Sequence, residues 1–199
     1  GGGPAGLTAA HESARLGHQV TLFEKNAETG GQVRLAAKAP FKEAYGEWIN
    51  RLTAKAKKAG VEFQFNAEVT PEMITNGNPE VVIMATGAKE TVPSIEGIDL
   101  PHVHLAREVL GDGVNLSGKV LVIGGGLVGM EVADYCREQG CDNLTLVEEL
   151  PRSPVTKFTS HGYMLHTRFR KAGYNMIVKA SVQKITPESV SILIDENEQ

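Results

Sequence analysis

The sequence lacks the features that would place the protein in several broad functional classes. Its two cysteines, Cys136 and Cys141, are too few for a disulfide framework, so a reducing cytoplasm is the expected location. No apolar run approaches the roughly 20 residues that a membrane-spanning helix requires. A formal net charge of −4 gives no basic footprint for nucleic acid. A hydrophobic share of 41% and a charged share of 22% are instead typical of a globular protein.

The histidines do not suggest a metal site. His161 and His166 are five residues apart in a predicted helix, so they lie on different faces. His102 and His104 could share one face of an extended segment, but no third ligand accompanies them. We therefore predict no metal site, and we name no catalytic side chain.

Glycine is abundant, and its placement is informative. An apolar run at residues 120–123 leads into a glycine turn, a helical pattern extends to Gln139, and a second apolar run at residues 144–147 ends at Glu148. The turn contains Gly124, Gly126 and Gly129. Strand, glycine turn, helix, strand and terminal acid together form a dinucleotide-binding βαβ unit.

Each residue type in this unit has a physical task. Gly124 permits the tight turn, Gly126 lets a pyrophosphate approach the backbone, and Gly129 lets the helix pack close to the strand. The free N–H groups and positive end of the helix then attract the phosphates. Glu148 is placed to accept hydrogen bonds from the adenosine ribose hydroxyls, and its charge would repel the 2′-phosphate of NADPH.

The same unit occurs at the start of the chain. Its turn contains Gly1, Gly3 and Gly6, and the apolar run that follows its helix ends at Glu24. Two copies predict two nucleotide sites in a doubly wound α/β protein with two Rossmann-like domains. We assign residues 1–115 to the first domain and residues 116–199 to the second. Because no strand precedes Gly1, we expect the chain to be a fragment in which both domains are incomplete.

Apolar spacing between and after the two copies predicts further elements. Helices are predicted over residues 41–59 and 161–172, and strands over residues 61–65 and 174–178, with a hairpin over 182–194. Three shorter elements are also predicted: a continuation of the strand at 61–65 over residues 67–70, a brief helix from Pro71 and a helix at 105–110.

Two further stretches bear on the first nucleotide site. The continuous apolar run at residues 81–84 predicts a strand buried on both faces. It ends in the small residues at 85–87, at the carboxyl end of a strand, where α/β sheets bind ligands. The glycine pair at 30–31, with Gln32, has two interpretations. It turns the chain, which residue type alone favours, or its N–H groups lie against a second phosphate or a flavin ring.

Taken together, these motifs resemble the flavoproteins with two dinucleotide-binding domains, the pyridine nucleotide-disulphide oxidoreductase-like family. The resemblance implies that the first unit binds the ADP part of FAD and that the second binds NADH or NADPH. The charge of Glu148 favours NADH of the two. The FAD-binding residues it implies are Gly1, Gly3, Pro4, Ala5, Gly6, Glu24, Lys25, Gly31, Gln32, Val69, Ala85, Thr86 and Gly87. The nicotinamide-nucleotide-binding residues it implies are Gly124, Gly126, Leu127, Val128, Gly129, Glu131 and Glu148.

Within that family the stretches at residues 30–38 and 156–159 are similar to the C-terminal module of 2,4-dienoyl-CoA reductase, 2-enoate reductase and trimethylamine dehydrogenase. This branch implies an upstream barrel of the same polypeptide that holds FMN, with an iron–sulfur cluster nearby. Hydride would pass from NADH to FAD, and electrons onward to FMN and an enoyl-type or related substrate. The cysteines are not placed like the redox pair of the disulfide reductases in this family.

Two alternatives remain at this point. The first site could hold ADP as a structural ligand, as in an amine dehydrogenase relative, or the chain could be a non-catalytic nucleotide-binding scaffold. The family returns to its FAD domain after the nicotinamide domain, and no such segment occurs here. We therefore expect this chain by itself to be inactive.

Overall fold

The computed structural model describes residues 1–111, 113–114 and 116–195, and these form two compact units. The first unit consists of Gly1–Ala37 and Phe41–Glu90, and the second of Lys38–Pro40 and the residues from Thr91 onward. The predicted domain boundary falls on residue 115, which lies outside the described residues. The assignment of residues 1–115 and 116–199 to two cofactor domains therefore stays a prediction.

The first unit has a two-stranded parallel sheet, in which Thr21 pairs with Glu62 and Glu24 with Phe65. The predicted helix over 41–59, the brief helix from Pro71 and the strand over 61–65 are confirmed within two residues at each end. The elements are α1 (Pro4–Arg15), β1 (Thr21–Glu24), α2 (Gln32–Ala36), α3 (Glu43–Lys58), β2 (Glu62–Phe65) and α4 (Pro71–Gly77).

The second unit contains a three-stranded parallel sheet in the order β3-β4-β5 and an antiparallel hairpin. The predicted helices near 105–110 and 161–172, the strand near 174–178 and the hairpin are confirmed. The elements are α5 (Ala106–Gly111), β3 (Lys119–Ile123), α6 (Leu127–Glu138), β4 (Asn143–Val147), α7 (Ser160–Lys171), β5 (Asn175–Ile177), β6 (Ala180–Ile185) and β7 (Val190–Ile194).

Each unit buries the apolar stripe of its glycine-turn helix. In the first unit Leu7 and Ala10, three residues apart on α1, pack in a cluster with Leu22 of β1 and Ile49 of α3. In the second unit the equivalent stripe of α6 packs against β4 and α7, and its cluster includes Met130, Ala133, Leu144, Leu146, Leu165 and Phe169. Burial of these stripes fixes each helix against its sheet, and with it the glycine turn. Among the helices described, none has the length and apolar composition needed to span a membrane.

The two copies of the motif are repeated in three dimensions as well as in sequence. Both α1 and α6 have 12 residues and start after a glycine in extended conformation, with φ and ψ of −73° and −177° at Gly3 and of −76° and −175° at Gly126. After each helix the chain turns through a glycine with φ of +96°, Gly17 in one copy and Gly140 in the other. The predicted duplication is confirmed.

The predicted strands at residues 81–84 and 67–70 are wrong for the described structure, because neither run adopts strand conformation. Val81 and Met84 are 75% and 72% exposed, and the two residues between them are also exposed. The sheet of the first unit consists of β1 and β2, and neither pairs with this run. A strand needs a hydrogen-bonded neighbour, and a local apolar pattern does not report whether one is available.

A buried ion pair joins α6 to α7. Asp134 is 3% exposed, and its Oδ2 accepts a hydrogen bond from Arg168 Nε at 2.6 Å. Arg137, one helical turn away on α6, places Nη2 3.6 Å from Asp134 Oδ1. Since Asp134 is buried, its charge depends on these two arginines for compensation.

We predict that Asp134→Ala destabilises the second unit by about 3–5 kcal/mol, because it removes one partner of a buried ion pair. Thermal or urea unfolding of the protein measures the effect. Glu47→Ala is a matched control, because it breaks the exposed pair between Glu47 and Arg51 on α3 and should cost no more than about 0.5 kcal/mol. Equal effects of the two variants would contradict the prediction.

Candidate functional site

The first glycine turn is attached to the acid at the end of β1. The N–H of Gly2 donates to Glu24 Oε2 at 2.6 Å, and the N–H of Asn26 donates to Glu24 Oε1 at 2.9 Å. The carboxylate of Glu24 is therefore held by two backbone donors, and the residue is only 5% exposed.

The second glycine turn has the same arrangement. The N–H of Gly125 donates to Glu148 Oε2 at 2.7 Å, and the N–H of Leu150 donates to Glu148 Oε1 at 2.9 Å. Glu148 is 8% exposed. Each carboxylate oxygen retains a further lone pair for a hydroxyl donor, so the predicted contacts with adenosine ribose are compatible with this geometry and stay predictions.

One glycine in each turn is required by the fold. A Cβ added at Gly6 would overlap the carbonyl oxygen of Gly1, and a Cβ added at Gly129 would overlap that of Gly124. Gly129 was predicted to let the helix pack close to the strand, and a Cβ there would also lie 3.4 Å from Val122 Cγ1 of β3. Any side chain at these positions would push the helix away from its turn.

A different glycine in each turn faces open space. A Cβ at Gly3 would have no neighbour within 4 Å, and a Cβ at Gly126 would reach only Pro154 Cγ, at 3.9 Å. Both residues have extended backbones that any residue adopts. The described protein itself therefore does not require glycine at these two positions.

The first unit brings two of the predicted FAD-binding segments close to its glycine turn. The N–H of Gly30 donates to the carbonyl of Gly2 at 2.7 Å. A Cβ on Gly31 would come within 3.5 Å of Gly3 Cα. A Cβ added at Gly1 would overlap the carbonyl oxygen of Ala85, so the backbone of Ala85 lies close to the turn. The backbone of residues 30–31 and that of residue 85 both therefore lie close to the turn.

The predicted FAD-binding residues Lys25, Gln32 and Val69 make no such close contact with the first glycine turn among the contacts described. Gln32 Nε2 donates to the carbonyl of Ala88 at 2.5 Å, which ties α2 to the segment after Gly87. Lys25 is exposed just beyond Glu24. Val69 is 40% exposed and lies two residues after Ala67, whose N–H donates to the carbonyl of Glu24 at 3.0 Å. The roles of Lys25, Gln32 and Val69 therefore stay predictions.

The cavities of the two units differ in their relation to these residues. In the first unit a cavity of about 370 Å³ is lined by residues that include Thr29, Arg34 and Phe65, and by none of the predicted FAD-binding residues. In the second unit a cavity of about 240 Å³ is lined by Gly124 and Glu148. The smaller cavity lies at the carboxyl ends of β3 and β4, the part of open α/β sheets that commonly binds nucleotides.

Glu131 has a partner that the sequence analysis did not find. Its Oε1 lies 2.9 Å from Nε2 of His161, in the first turn of α7. The Glu131 side chain is 12% exposed and that of His161 is 42% exposed. Leu127 and Val128, in the first turn of the same helix as Glu131, are 50% and 60% exposed. They are accessible to a ligand at the helix N-terminus.

Sequence reasoning also missed the second glycine of each turn. A Cβ at Gly125 would come within 3.1 Å of Glu148 Cβ, and one at Gly2 would come within 3.1 Å of Glu24 Oε2. The signal for this role was a glycine at the same position of both copies, but that glycine was interpreted only as part of the turn. Ser153, whose Oγ donates to the carbonyl of Gly125 at 2.6 Å, had no signal in the sequence.

The cysteines have the properties of structural residues. Both thiols are free and buried. Burial, together with the neighbouring Cys141, raises the pKa of Cys136 to about 11. Burial also raises the pKa of Cys141. Since the thiolate is the reactive form, burial disfavours the reactivity of both residues near neutral pH.

Comparison with known proteins identifies the class that this fold and these turns define. Residues 1–199 match the family model described as pyridine nucleotide-disulphide oxidoreductase. The chain therefore belongs to this family of flavoprotein oxidoreductases. The predicted fold class, two Rossmann-like dinucleotide-binding units, is confirmed by this match together with the observed units.

Individual relatives agree with this assignment. The chain is 37% identical over 190 residues to a bilirubin reductase of Mediterraneibacter gnavus and 35% identical over 203 residues to an NADH oxidase of Thermoanaerobacter brockii. These alignments cover 96% and 100% of the chain, but only 30% and 31% of the relatives. Among solved structures, 2-naphthoyl-CoA reductase has a TM-score of 0.89 at 31% identity, over 98% of this chain and 29% of that one. The predicted resemblance to reductases of this kind is confirmed.

We predict that Gly129→Ala destabilises the second unit by about 1–3 kcal/mol, because the new methyl group overlaps the carbonyl of Gly124. Gly46→Ala is the control. Gly46 lies inside α3, and its added methyl group would be in ordinary contact, 3.7 Å from Ala37 Cβ. That variant should be stabilised by about 0.5–1 kcal/mol. Thermal unfolding measures both, and a stabilised Gly129→Ala would contradict the assignment.

Proposed function

We propose that the chain is an NADH:flavin oxidoreductase module, in which the first unit binds FAD and the second binds NADH. Membership in the pyridine nucleotide-disulphide oxidoreductase family supports a flavin and a nicotinamide nucleotide as the two ligands. The two glycine turns supply one nucleotide site each.

One observation carries this proposal. Gly3 and Gly126 lie immediately before their helices, and a side chain at either would meet almost nothing in the described protein. The space in front of each helix is therefore open to a ligand that approaches the backbone. A pyrophosphate fits that space, because the helix N-terminus offers N–H donors and positive potential.

In the first unit the ADP part of FAD would lie between the glycine turn and Glu24. Gly1, Gly3, Pro4, Ala5 and Gly6 would hold the pyrophosphate, and Glu24 the ribose. Lys25 and Val69 would lie toward the adenine. The backbone near Gly31, Gln32, Ala85, Thr86 and Gly87 would approach the rest of the cofactor. Support comes from the contacts of residues 30–31 and 85 with the turn.

In the second unit the nicotinamide nucleotide would extend from Glu148 over the N-terminus of α6. Gly124, Gly126, Leu127, Val128 and Gly129 would surround the pyrophosphate. Glu148 would bind the ribose from the 240 Å³ cavity. Glu131, four residues into α6, would lie toward the nicotinamide end.

The protein needs no acid or base for the transfer itself. When bound, the nicotinamide supplies a hydride and the flavin accepts it, and the protein contributes binding and orientation. We therefore assign the named residues to binding and not to bond cleavage.

The whole enzyme would extend well beyond this module. The chain spans about 30% of its reductase relatives, which leaves room for the predicted upstream barrel with FMN and an iron–sulfur cluster. Electrons from FAD would reach that barrel and reduce an enoyl-type or related small molecule. A cytoplasmic location is part of the same proposal.

Cofactor content tests the first site directly. Full-length enzyme, purified and denatured, should release FAD in a stoichiometric amount, identified by mass spectrometry. Release of ADP instead would indicate a structural ligand, as in the amine dehydrogenase alternative, and release of neither would favour a scaffold.

The open space at Gly126 predicts a selective defect. Gly126→Val should fold and retain flavin, because valine has room in the protein, but should lose flavin reduction by NADH, because the side chain occupies the pyrophosphate space. Stopped-flow reduction of the full-length enzyme measures this. Normal reduction by the variant would exclude this turn as the NADH site.

The charge of Glu148 predicts coenzyme preference. Glu148→Arg should shift the ratio of kcat/KM for NADH over NADPH by about tenfold or more, or about 1.4 kcal/mol, toward NADPH. Part of the loss with NADH would reflect the broken bond to Gly125. Glu149→Gln, in the same cavity, is the control and should change the ratio less. Comparable kcat/KM values of the unmodified enzyme for both coenzymes would contradict the prediction.

A further inference from the structure

Both polar groups of Gly125 are held by residues that come later in the chain. Its N–H donates to Glu148 Oε2 at 2.7 Å, and its carbonyl oxygen accepts the hydroxyl of Ser153 at 2.6 Å. The N–H of Gly124 is bonded as well, to the carbonyl of Val147 at 2.8 Å. The backbone immediately before Gly126 therefore has little freedom to rotate.

Ser153 is itself fixed in position. Its Oγ accepts the N–H of Val155 at 3.2 Å and lies 3.5 Å from Met130 Sδ. A hydroxyl has one proton, and the carbonyl of Gly125 is both nearer and the stronger acceptor. The Ser153 hydroxyl thus links the segment after β4 to the glycine turn before α6.

In the first unit the carbonyl of the second glycine accepts its hydrogen bond from the backbone and not from a side chain. There the carbonyl of Gly2 accepts the N–H of Gly30 at 2.7 Å, while the N–H of Gly2 is held by Glu24. In each unit both the N–H and the carbonyl of the second glycine are hydrogen-bonded. The donor to the carbonyl is a backbone amide in the first unit and a side-chain hydroxyl in the second. Only the second turn depends on a replaceable side chain for this bond.

We propose that Ser153 is a positioning residue for nicotinamide-nucleotide binding, acting through the Gly125 carbonyl. Its bond sets the orientation of the peptide that leads into Gly126, and with it the direction of the N–H groups facing the pyrophosphate. The inference rests on the proposed binding of NADH by the second unit. It does not concern the flavin site, whose turn is held by Gly30.

Replacement of the hydroxyl tests the role in the full-length enzyme. Ser153→Ala should raise the Kd for NADH by about tenfold, because binding must then reorient a peptide that the hydroxyl no longer holds, at a cost of about one hydrogen bond. The limiting rate of flavin reduction at saturating NADH and the FAD content should be unchanged, since the turn is reoriented by the bound ligand. Stopped-flow titration gives the Kd and the limiting rate separately.

Conservative variants separate the hydroxyl from its packing. Ser153→Thr keeps the hydroxyl and should bind NADH within about threefold of the unmodified enzyme. Ser153→Cys has nearly the same shape but only a weak donor, so its Kd for NADH should rise as much as that of Ser153→Ala. If the alanine variant does not fold, the cysteine variant tests the prediction in its place. Ser189→Ala is the control, because it removes a hydroxyl from the exposed turn between β6 and β7 and should leave NADH binding unchanged.

The outcomes distinguish this inference from the proposed function. An unmodified enzyme whose flavin is not reduced by NADH would overturn the proposed function, and the positioning role with it. An unmodified enzyme that is reduced, with an unchanged Kd in Ser153→Ala, would overturn the role of Ser153 alone. Equal weakening in the threonine and alanine variants would also overturn it, because packing and not the hydroxyl would then be responsible.

Discussion

In each unit a glutamate at the end of a strand accepts a hydrogen bond from the second glycine of the turn that precedes the neighbouring helix. The bonds are 2.6 Å from Gly2 to Glu24 and 2.7 Å from Gly125 to Glu148. They are charge-assisted and buried, which makes them stronger than ordinary backbone bonds. Strand, turn and helix are held together at this point, so the direction of the helix N-terminus depends on it.

This arrangement gives each acid two tasks. The carboxylates of Glu24 and Glu148 keep the glycine turns in place, and in the proposed function they also bind the ribose hydroxyls. Loss of either acid would therefore alter the shape of the turn as well as the recognition of a nucleotide. The position shared by Gly2 and Gly125 is restricted for the same reason, since a side chain there would press on the acid.

The glycines of each turn separate into those that the fold requires and those that the described protein does not require. Gly6 and Gly129 allow contact between helix and turn that no side chain would permit, whereas Gly3 and Gly126 border open space. A sequence shows only that all of them are glycine. The structure shows which atoms surround each glycine, and so which glycines the fold requires. The open space at the remaining two supports the proposal of a ligand at the helix N-terminus.

The sequence by itself determined the duplicated unit, its helices and the acids that end its strands, because these depend on local spacing and backbone preference. Tertiary structure decided the rest. The bond from Ser153 to Gly125 joins residues 28 positions apart, and that between His161 and Glu131 joins residues 30 apart, so no local pattern encodes them. The run at residues 81–84 shows the same limit, since it is apolar enough for a buried strand yet exposed. Whether an apolar run becomes a strand, or a hydroxyl finds an acceptor, depends on which distant backbone groups the folded chain brings beside it.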